Sequence, residues 1–123
     1  MTIIDAIHRV DGVKPNSYSM DEKLRWLSSL DGIVKKELHD VYLNDVQIEF
    51  EGYGENTPLT RELLIPYPYD EIYIRCLEAQ IDYANGEYEK YNNSTALFNA
   101  AWAAYEKHYH RTHKPGEKGF VHF

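Results

Sequence analysis

The sequence is poor in cysteine, in long apolar runs and in basic side chains, and each shortage excludes a class of protein. Its only cysteine, Cys76, cannot form a disulfide within the chain, and the apolar helical pattern around it predicts a buried thiol in a reducing compartment. No stretch of about eighteen apolar residues is present, and the first ten residues lack the charged leader of an export signal. We therefore expect a soluble protein that is not exported by that route.

Basic side chains are outnumbered, with 13 lysines and arginines against 20 aspartates and glutamates, and the net charge is −7. The charge is uneven: residues 107–123 hold four basic side chains and one acidic one, a net +3, which leaves −10 for residues 1–106. Tight wrapping of nucleic acid needs clustered lysine and arginine. An acidic body makes such binding unfavourable and remains compatible with DNA that passes by.

Motifs for catalysis or cofactor binding are also missing. The sequence contains no phosphate-binding glycine loop, GxSxG, HExxH or CxxC pattern. The densest set of possible ligands is His108, His110 and His113, of which only the last two share a helical face, and no cysteine or carboxylate completes the set. This spacing disfavours zinc and favours a helix end that responds to pH. We expect no enzyme activity, no metal and no cofactor.

What the chain has in abundance is aromatic side chains. Its 123 residues (14.4 kDa) fit one domain, 43% of them are hydrophobic and 14% aromatic, and eleven are tyrosines. This composition excludes a disordered chain. Tyrosine at this frequency suits protein–protein contacts as well as half-buried core positions.

The strongest pattern is an aromatic stripe, which we define by seven residues spaced alternately three and four apart. They are Tyr88, Tyr91, Thr95, Phe98, Trp102, Tyr105 and Tyr109. No proline interrupts the run, so it predicts one long helix between about residues 86 and 112. Packing in the core of the chain is the simplest interpretation. The alternative is that the stripe is too wide for so small a chain to cover, so that part of it faces another subunit.

Apolar periodicity predicts two helices before the middle of the chain. The first covers residues 2–10 with Thr2 as its N-cap and ends at Asp11-Gly12. The second covers residues 20–43 and begins with a capping box at Ser19. Its middle contains Asp31-Gly32, where glycine is unfavourable in a helix, so this is the weakest part of the predicted helix and the position at which a kink or break would occur.

A third helix is predicted after Pro68, because Asp70 and Glu71 then face the positive end of its dipole, and Asn85-Gly86 closes it. The connection to the aromatic helix is so short that the two helices should be antiparallel neighbours. The predicted fold is all-α, a small antiparallel bundle of about four helices with a long C-terminal helix.

The central segment interrupts this helical pattern. Between residues 44 and 60 apolar and polar residues alternate before a glycine-rich stretch, which predicts a short extended arm or hairpin. Five acidic and no basic residues between residues 40 and 60 mark it as a solvated, negatively charged feature. An ordinary polar connector is the simpler interpretation. The alternative is a projecting loop with a role in assembly, whose interface residues would be Glu49, Phe50, Glu51, Tyr53 and Glu55.

The last ten residues, 114–123, are predicted to form a flexible arm that follows a helical domain of residues 1–113. Their first half is too polar to fold alone, but apolar side chains return at the end. Fraying is the usual state of such an end. The alternative is docking into another chain, which would remove two phenylalanines from water. The candidate partner-binding residues are Lys114, Lys118, Phe120, Val121 and Phe123.

Three strings of this sequence resemble the small head-tail connector proteins of tailed bacteriophages and prophages, which are also called head-completion or adaptor proteins. They are DAIHRVDGVKPNSYSMDEKLRWLSSLDG, EFEGYGENTPLTRELLIPYPYDEIY and LEAQIDYANGEYEKYNNSTALFNAAWAAYEKHYHRTHKP, which together cover most of residues 5–115. None of them is a catalytic signature. The resemblance therefore comes from overall pattern.

The resemblance implies a structural protein with no enzyme activity, assembled in the bacterial host cytoplasm and placed in the virion at the head–tail interface. Such a protein forms a dodecameric ring under the portal protein after DNA packaging, extends the DNA channel and presents a platform for stopper or tail proteins. The ring would form on the portal, and a monomer in isolation is compatible with it. The arm at 114–123 would reach the portal, and Glu49, Glu51 and Glu55 would face the channel or a neighbouring subunit.

The residues themselves leave a second class open. A small helical regulatory or accessory protein that dimerises through the aromatic helix has the same composition and the same periodicity. It differs from a connector in being a stable dimer by itself.

Overall fold

The computed structural model of the protein describes residues 1–41 and 50–113. Its helices are α1 (Ile3–Val13), α2 (Met20–Glu37), α3 (Glu71–Ala84) and α4 (Tyr88–Thr112), with a short 3-10 turn at His39–Val41. The described ranges contain no strand, only an isolated antiparallel bridge between Thr2 and Glu62. The predicted all-α bundle with a long C-terminal helix is confirmed.

Helix α1 begins at the predicted cap. The Thr2 side chain accepts the Asp5 N–H at 3.1 Å, and the Thr2 N–H donates to the Asp5 carboxylate at 3.4 Å, which is a capping box. The next free N–H groups of the first turn donate to the carbonyls of Arg61 and Leu59, at 3.0 and 2.9 Å. The start of α1 is thus joined to residues 50–65, which we call the central segment.

Helix α2 is continuous across Asp31-Gly32, so the single helix predicted there is confirmed. Ser19 caps it as expected by accepting the Glu22 N–H at 3.1 Å. Asp31 does not compete with the helix backbone, because its carboxylate is bonded to other parts of the chain. The helix ends at Glu37, earlier than predicted, whereas α1 runs past the predicted stop at Asp11-Gly12 to Val13.

Helix α3 lies at the centre of the bundle. The backbones of α1, α2 and α4 all pack against it, whereas within the described ranges α4 makes no close backbone approach to α1 or α2. Gly86 closes α3 with a φ of 75°, a left-handed conformation that favours glycine, so the predicted Asn-Gly end is confirmed. Helix α4 starts two residues later and returns along α3.

The core is apolar and is built mainly on the inner faces of α1, α2 and α3. Its largest fully buried side chains include Ile3, Ile7, Leu27, Leu38, Ile65, Ile72, Leu77 and Ile81. Cys76 is buried beside them, as its sequence context predicted, and burial raises the pKa of its thiol to about 12. This thiol is therefore a small apolar side chain at neutral pH.

Candidate functional site

The aromatic stripe lies on one helix, as predicted, but its exposure changes along α4. Tyr105 and Tyr109 are buried, Phe98 and Trp102 are half-buried, and Tyr88 is 61% exposed. Packing within the protomer therefore accounts for the C-terminal part of the stripe only. The N-terminal part remains at the surface of this chain.

Rings from two other elements surround the buried part of the stripe. The ring centroids of Tyr69 and Tyr105 are 5.3 Å apart, and Tyr69 also stacks on His108 at 4.8 Å. His39, just after α2, stacks on Tyr109 at 5.5 Å. The C-terminal end of α4 therefore lies beside the start of α3 and the end of α2, which makes α4 antiparallel to α3 and parallel to α2.

At the other end of α4 three tyrosines form a cluster outside the core. The ring of Tyr83 lies 6.0 Å from Tyr88 and 5.2 Å from Tyr91. Tyr83 and Tyr88 are exposed, and Tyr91 is half-buried. Their phenol groups add an amphipathic surface at the junction of α3 and α4.

Two adjoining cavities lie beside the stripe, one between α2 and α4 and one between α3 and α4, and together we call them the α2–α4 groove. Its first part, of about 170 Å³, is lined by Leu30, Ile33, Glu37, Phe98 and Trp102. Its second part, of about 200 Å³, is lined by Cys76, Ala79, Gln80, Tyr91, Thr95, Phe98 and Asn99. Phe98 lines both parts and stands between them.

The chemistry of the α2–α4 groove suits the binding of a polypeptide. Its first part is apolar apart from Glu37, and Ile33 at its edge is 47% exposed. Its second part adds the side-chain amides of Gln80 and Asn99, which can donate and accept hydrogen bonds. Apolar pockets with a few hydrogen-bonding groups at their edge are typical of surfaces that bind a helix or an extended segment. In residues 1–41 and 50–113 no group of three or more His, Cys, Asp or Glu side chains is arranged to hold a metal ion.

The α2 wall of the groove is held by a buried carboxylate, which we call the Asp31 hub. Asp31, on α2, is fully buried and accepts hydrogen bonds from the hydroxyls of Tyr53 and Tyr73, both at 2.5 Å. It also accepts the N–H of Leu64 at 3.1 Å, while the Tyr73 hydroxyl accepts the N–H of Ile65 at 2.7 Å. The hub thereby connects α2, α3 and the central segment.

Burial shifts the pKa values of the ionisable groups in the hub. Removal from water raises the pKa of Asp31, and the hydrogen bonds from Tyr53, Tyr73 and Leu64 oppose that rise. Burial and the neighbouring carboxylate raise the pKa of both tyrosines far above the ordinary value, so that their hydroxyls remain protonated donors. With its donors supplied by the fold and no contact with solvent, Asp31 is a structural group.

The sequence analysis does not predict the hub, because in the sequence Asp31 stands out only as part of the Asp-Gly pair that weakens α2. A signal for it was present. Leu24, Leu27, Asp31, Val34 and Leu38 follow each other at spacings of three and four, so the aspartate occupies an apolar position of the helix. A carboxylate at such a position needs buried donors.

A second buried carboxylate, Asp82 on α3, ties α4 to the loop after α1. It pairs with the Lys14 ammonium at 2.8 Å and accepts the hydroxyl of Ser94. Ser94 lies in the second turn of α4. The contact holds the N-terminal part of α4, where the stripe is exposed, against α3.

The structure corrects the predicted interface loop at Tyr53. This residue is only 8% exposed, its hydroxyl reaches Asp31, and its N–H donates to the Ser28 hydroxyl at 2.9 Å. It therefore anchors the central segment to its own protomer and is not available to a partner. The acidic residues around it conceal this anchor in the sequence.

The remaining loop residues differ in their environment. Phe50 is half-buried and packs edge-to-face on Tyr53, with ring centroids 5.0 Å apart. Glu51 and Glu55 are exposed. Glu49 lies outside the described residues, as does most of the predicted extended arm; residues 50–65 form turns and the bridge to Thr2.

The two C-terminal predictions have different outcomes. The candidate arm residues Lys114, Lys118, Phe120, Val121 and Phe123 lie outside the described residues. The three histidines are spread apart: His108 stacks on Tyr69, His113 stacks on Tyr109 at 3.9 Å, and His110 is exposed. His108 and His113 thus take part in aromatic contacts at the end of the bundle.

No helix in the described parts of the chain combines the length and the apolar character that crossing a membrane requires. Comparison of the chain with models of known protein families, with curated proteins and with solved structures gives no match.

Proposed function

We propose that this chain is a structural head-tail connector of a tailed bacteriophage or prophage. In this role it assembles as a ring, a dodecamer in the family it resembles, beneath the portal protein. The ring extends the DNA channel and offers a platform for stopper or tail proteins. The resemblance of three strings over most of residues 5–115 supports this role.

The observation that carries the proposal is the incomplete cover of α4. Its C-terminal part lies beside Tyr69 and His39, whereas its N-terminal part has only α3 beside it among the described helices. Tyr88 is 61% exposed, and Leu97, on the outer face of α4, is 50% exposed. A helix that one copy leaves partly uncovered suits a protein that completes its contacts with other copies.

The charge distribution suits a channel through which DNA passes. Residues 1–106 carry a net charge of −10, and Glu51 and Glu55 are exposed on the central segment. Like-charge repulsion acts over roughly 8 Å at physiological salt, which keeps phosphates from adhering to an acidic wall. Residues 107–123 carry a net charge of +3, opposite to that of residues 1–106, and would contact a protein partner.

The decisive test is genetic. Deleting the gene from the phage or prophage that encodes it should give DNA-filled or leaking heads without tails in negative-stain images. A plasmid copy of the gene should restore tailed particles. Tailed, infectious particles in the absence of the protein would overturn the proposal.

Binding to the portal provides a second test. Purified protein mixed with portal particles of the same phage should co-sediment with them as a stoichiometric ring, resolved by mass measurement. Monomers in the absence of portal agree with the proposal, because a ring interface of modest area can require a template. A stable dimer that never binds portal particles would favour the regulatory or accessory class.

A further inference from the structure

The outer face of α4, opposite to the aromatic stripe, has no cover among the described residues. Of the described helices only α3 approaches α4, and it does so on the side of the stripe. The residues of the outer face follow each other at helical spacings of three and four, and all of them are exposed. They are Glu89, Asn93, Ala96, Ala100, Ala103, Lys107 and Arg111.

The middle of the outer face is apolar. Leu97 is 50% exposed there, and its neighbours on this face are Ala96, Ala100, Ala103 and Ala104. Side chains this small allow a second helix to approach closely, to about 8 Å between the helix axes. The large side chain of Leu97 would lose its contact with water in such a pair.

The two ends of the outer face carry unlike charges. Lys107 and Arg111 at the C-terminal end, and Glu89 at the N-terminal end, have no ion-pair partner in the parts of the chain that the structure describes. The other charges of the N-terminal end, Glu87 and Lys90, are paired with each other at 3.1 Å. Glu89 and Arg111 lie about 33 Å apart along the helix, so they cannot meet within one chain.

A second copy laid antiparallel brings these charges together. In a pair of helices centred on Ala100, Glu89 of one copy lies opposite Arg111 of the other, because both are eleven residues from the centre. The same register places Ala96 opposite Ala104, so that alanines meet alanines. Each of these contacts occurs twice, because the arrangement is two-fold symmetric.

We propose that two copies of this chain pair in the free protein through the outer faces of α4, antiparallel and centred on Ala100. The apolar middle of each face is covered by the other, and two Glu89–Arg111 ion pairs fix the register at the ends. Each copy carries a net charge of −7, which opposes association, so the pair should dissociate on dilution.

This pair does not depend on the role as a connector. A two-fold contact closes on itself and does not build a ring. In a connector, the pair would be the form of the subunit before assembly, and it would separate on the portal.

The register is tested by disulfide cross-linking of the full chain at high protein concentration. Ala100→Cys places a thiol of each copy at the two-fold axis, so mild oxidation should give a covalent dimer. Cys76 does not interfere, because it is buried. Ala96→Cys is the matched control and should give little dimer, since its two copies lie about 12 Å apart along the axis. Ala96→Cys combined with Ala104→Cys should restore the dimer.

Equal yields of dimer from Ala100→Cys and Ala96→Cys, or no dimer from Ala100→Cys, would overturn the proposal.

Reversal of the end charges is an independent test, measured by sedimentation equilibrium. Arg111→Glu should raise the dissociation constant of the pair at least about tenfold, because like charges then meet at both ends. Adding Glu89→Arg to it restores unlike charges and the net charge of the wild type, and should restore the pair. Lys36→Glu, at an exposed position of α2, changes the net charge equally and should have a much smaller effect.

A wild type that stays monomeric at every concentration, or a double variant that pairs as weakly as Arg111→Glu, would contradict the proposal. Both outcomes are separable from that of the proposed function, because pairing is measured on the isolated protein and tail attachment in virions. A protein that never pairs but builds tails refutes the pair alone, and one that pairs but is not needed for tails refutes the connector alone.

Discussion

At the scale of single residues, Asp31 is the position on which the fold depends most. Its carboxylate is the shared acceptor of two tyrosine hydroxyls and of the Leu64 N–H. Asp31→Ala leaves these donors buried without a partner, and we expect a loss of about 3 to 5 kcal/mol in the free energy of unfolding. Urea unfolding measures it.

Glu55→Ala is the matched control for this change. Glu55 is an exposed carboxylate close to Tyr53 in the sequence, and its removal should alter the free energy of unfolding by no more than about 0.5 kcal/mol. Similar small effects for both variants would show that the three donors find other partners and that Asp31 is not a hub.

The pH dependence of stability follows from the same carboxyl group. Burial raises the pKa of Asp31 in the folded state above the ordinary value of 3.8, so that the folded protein binds this proton more tightly than the unfolded chain. The contribution of Asp31 to stability is therefore greatest below the ordinary pKa and is lost as the pH rises through the raised one.

Asp31→Asn should remove this contribution, because the amide does not titrate. Between about pH 7 and about pH 4 the free energy of unfolding of the wild type should rise relative to that of the variant. The other carboxyls, including Asp5 and Asp11 with their lowered pKa values, are common to both proteins and cancel in the difference. A constant difference across this range would contradict a raised pKa.

Substitutions at two adjacent residues of α4 should change the free energy of unfolding in opposite directions. The Ser94 hydroxyl donates to Asp82, whereas the Thr95 hydroxyl oxygen is buried without a hydrogen-bond partner among the described residues. Ser94→Ala should cost about 1 to 2 kcal/mol, and Thr95→Val should be neutral or stabilise by up to about 1 kcal/mol. Thermal unfolding of both variants checks the signs. A clear loss of stability in Thr95→Val would mean that the Thr95 hydroxyl has a hydrogen-bond partner.

At the scale of elements, the features that the sequence predicted correctly are those that depend on neighbouring residues. The caps at Thr2 and Ser19 and the left-handed close at Gly86 each depend on neighbours within a few residues. The long α4 depends on the period of its own stripe. The buried role of Asp31 could not be predicted in this way, because it depends on donors that lie 22 to 42 residues further along the chain.

The structure of the central segment also depends on a residue distant in the sequence. Its acidic residues indicated a solvated loop, and Glu51 and Glu55 agree, but Tyr53 turns inward to a partner on α2. Nothing in the spacing of this segment distinguishes an anchoring tyrosine from an exposed one. Only the position of Asp31 on the apolar face of α2 signalled that a donor had to arrive from elsewhere.

Gly52 allows the central segment to approach α2 and provides a test of that anchor. Its φ is 99°, and a Cβ atom at this position would lie 2.8 Å from the Ser28 hydroxyl oxygen. Gly52→Ala should therefore lower the free energy of unfolding by about 1 to 3 kcal/mol. Gly54→Ala is the control, because nothing lies within 4 Å of its Cβ position. Equal unfolding temperatures for the two variants would contradict a constrained approach.

At the scale of the whole molecule, α4 is both the last layer of the core and a surface. The sequence predicted the helix and the competing interpretations of its stripe, and the structure divides the stripe between them: Tyr105 and Tyr109 are buried, and Tyr88 is exposed. That division could not be read from periodicity, which is the same along the whole helix. It follows from what lies beside each end of α4, because Tyr69 and His39 cover its C-terminal part, whereas among the described helices only α3 approaches its N-terminal part.

The outer face of α4 is where the proposed assembly can be tested with one substitution. Leu97 is 50% exposed and is not part of the core, so Leu97→Glu should leave the unfolding temperature nearly unchanged. If this face contacts a neighbouring subunit, the buried charge should prevent ring formation, because an unpaired carboxylate in an apolar interface costs several kcal/mol per contact. Phage that lacks the gene, complemented with this variant, should produce heads without tails.

Val13→Glu is the control for this experiment, since Val13 is an exposed apolar residue at the end of α1, a helix that makes no close backbone approach to α4. It should restore tailed particles as the wild type does, because the effect of Leu97→Glu depends on position and not on added charge. A variant at Leu97 that restores tails would move the subunit contact away from the outer face of α4. Loss of tails with both variants would show that added negative charge alone prevents assembly. The interface would then be mapped by substitutions that keep the charge constant.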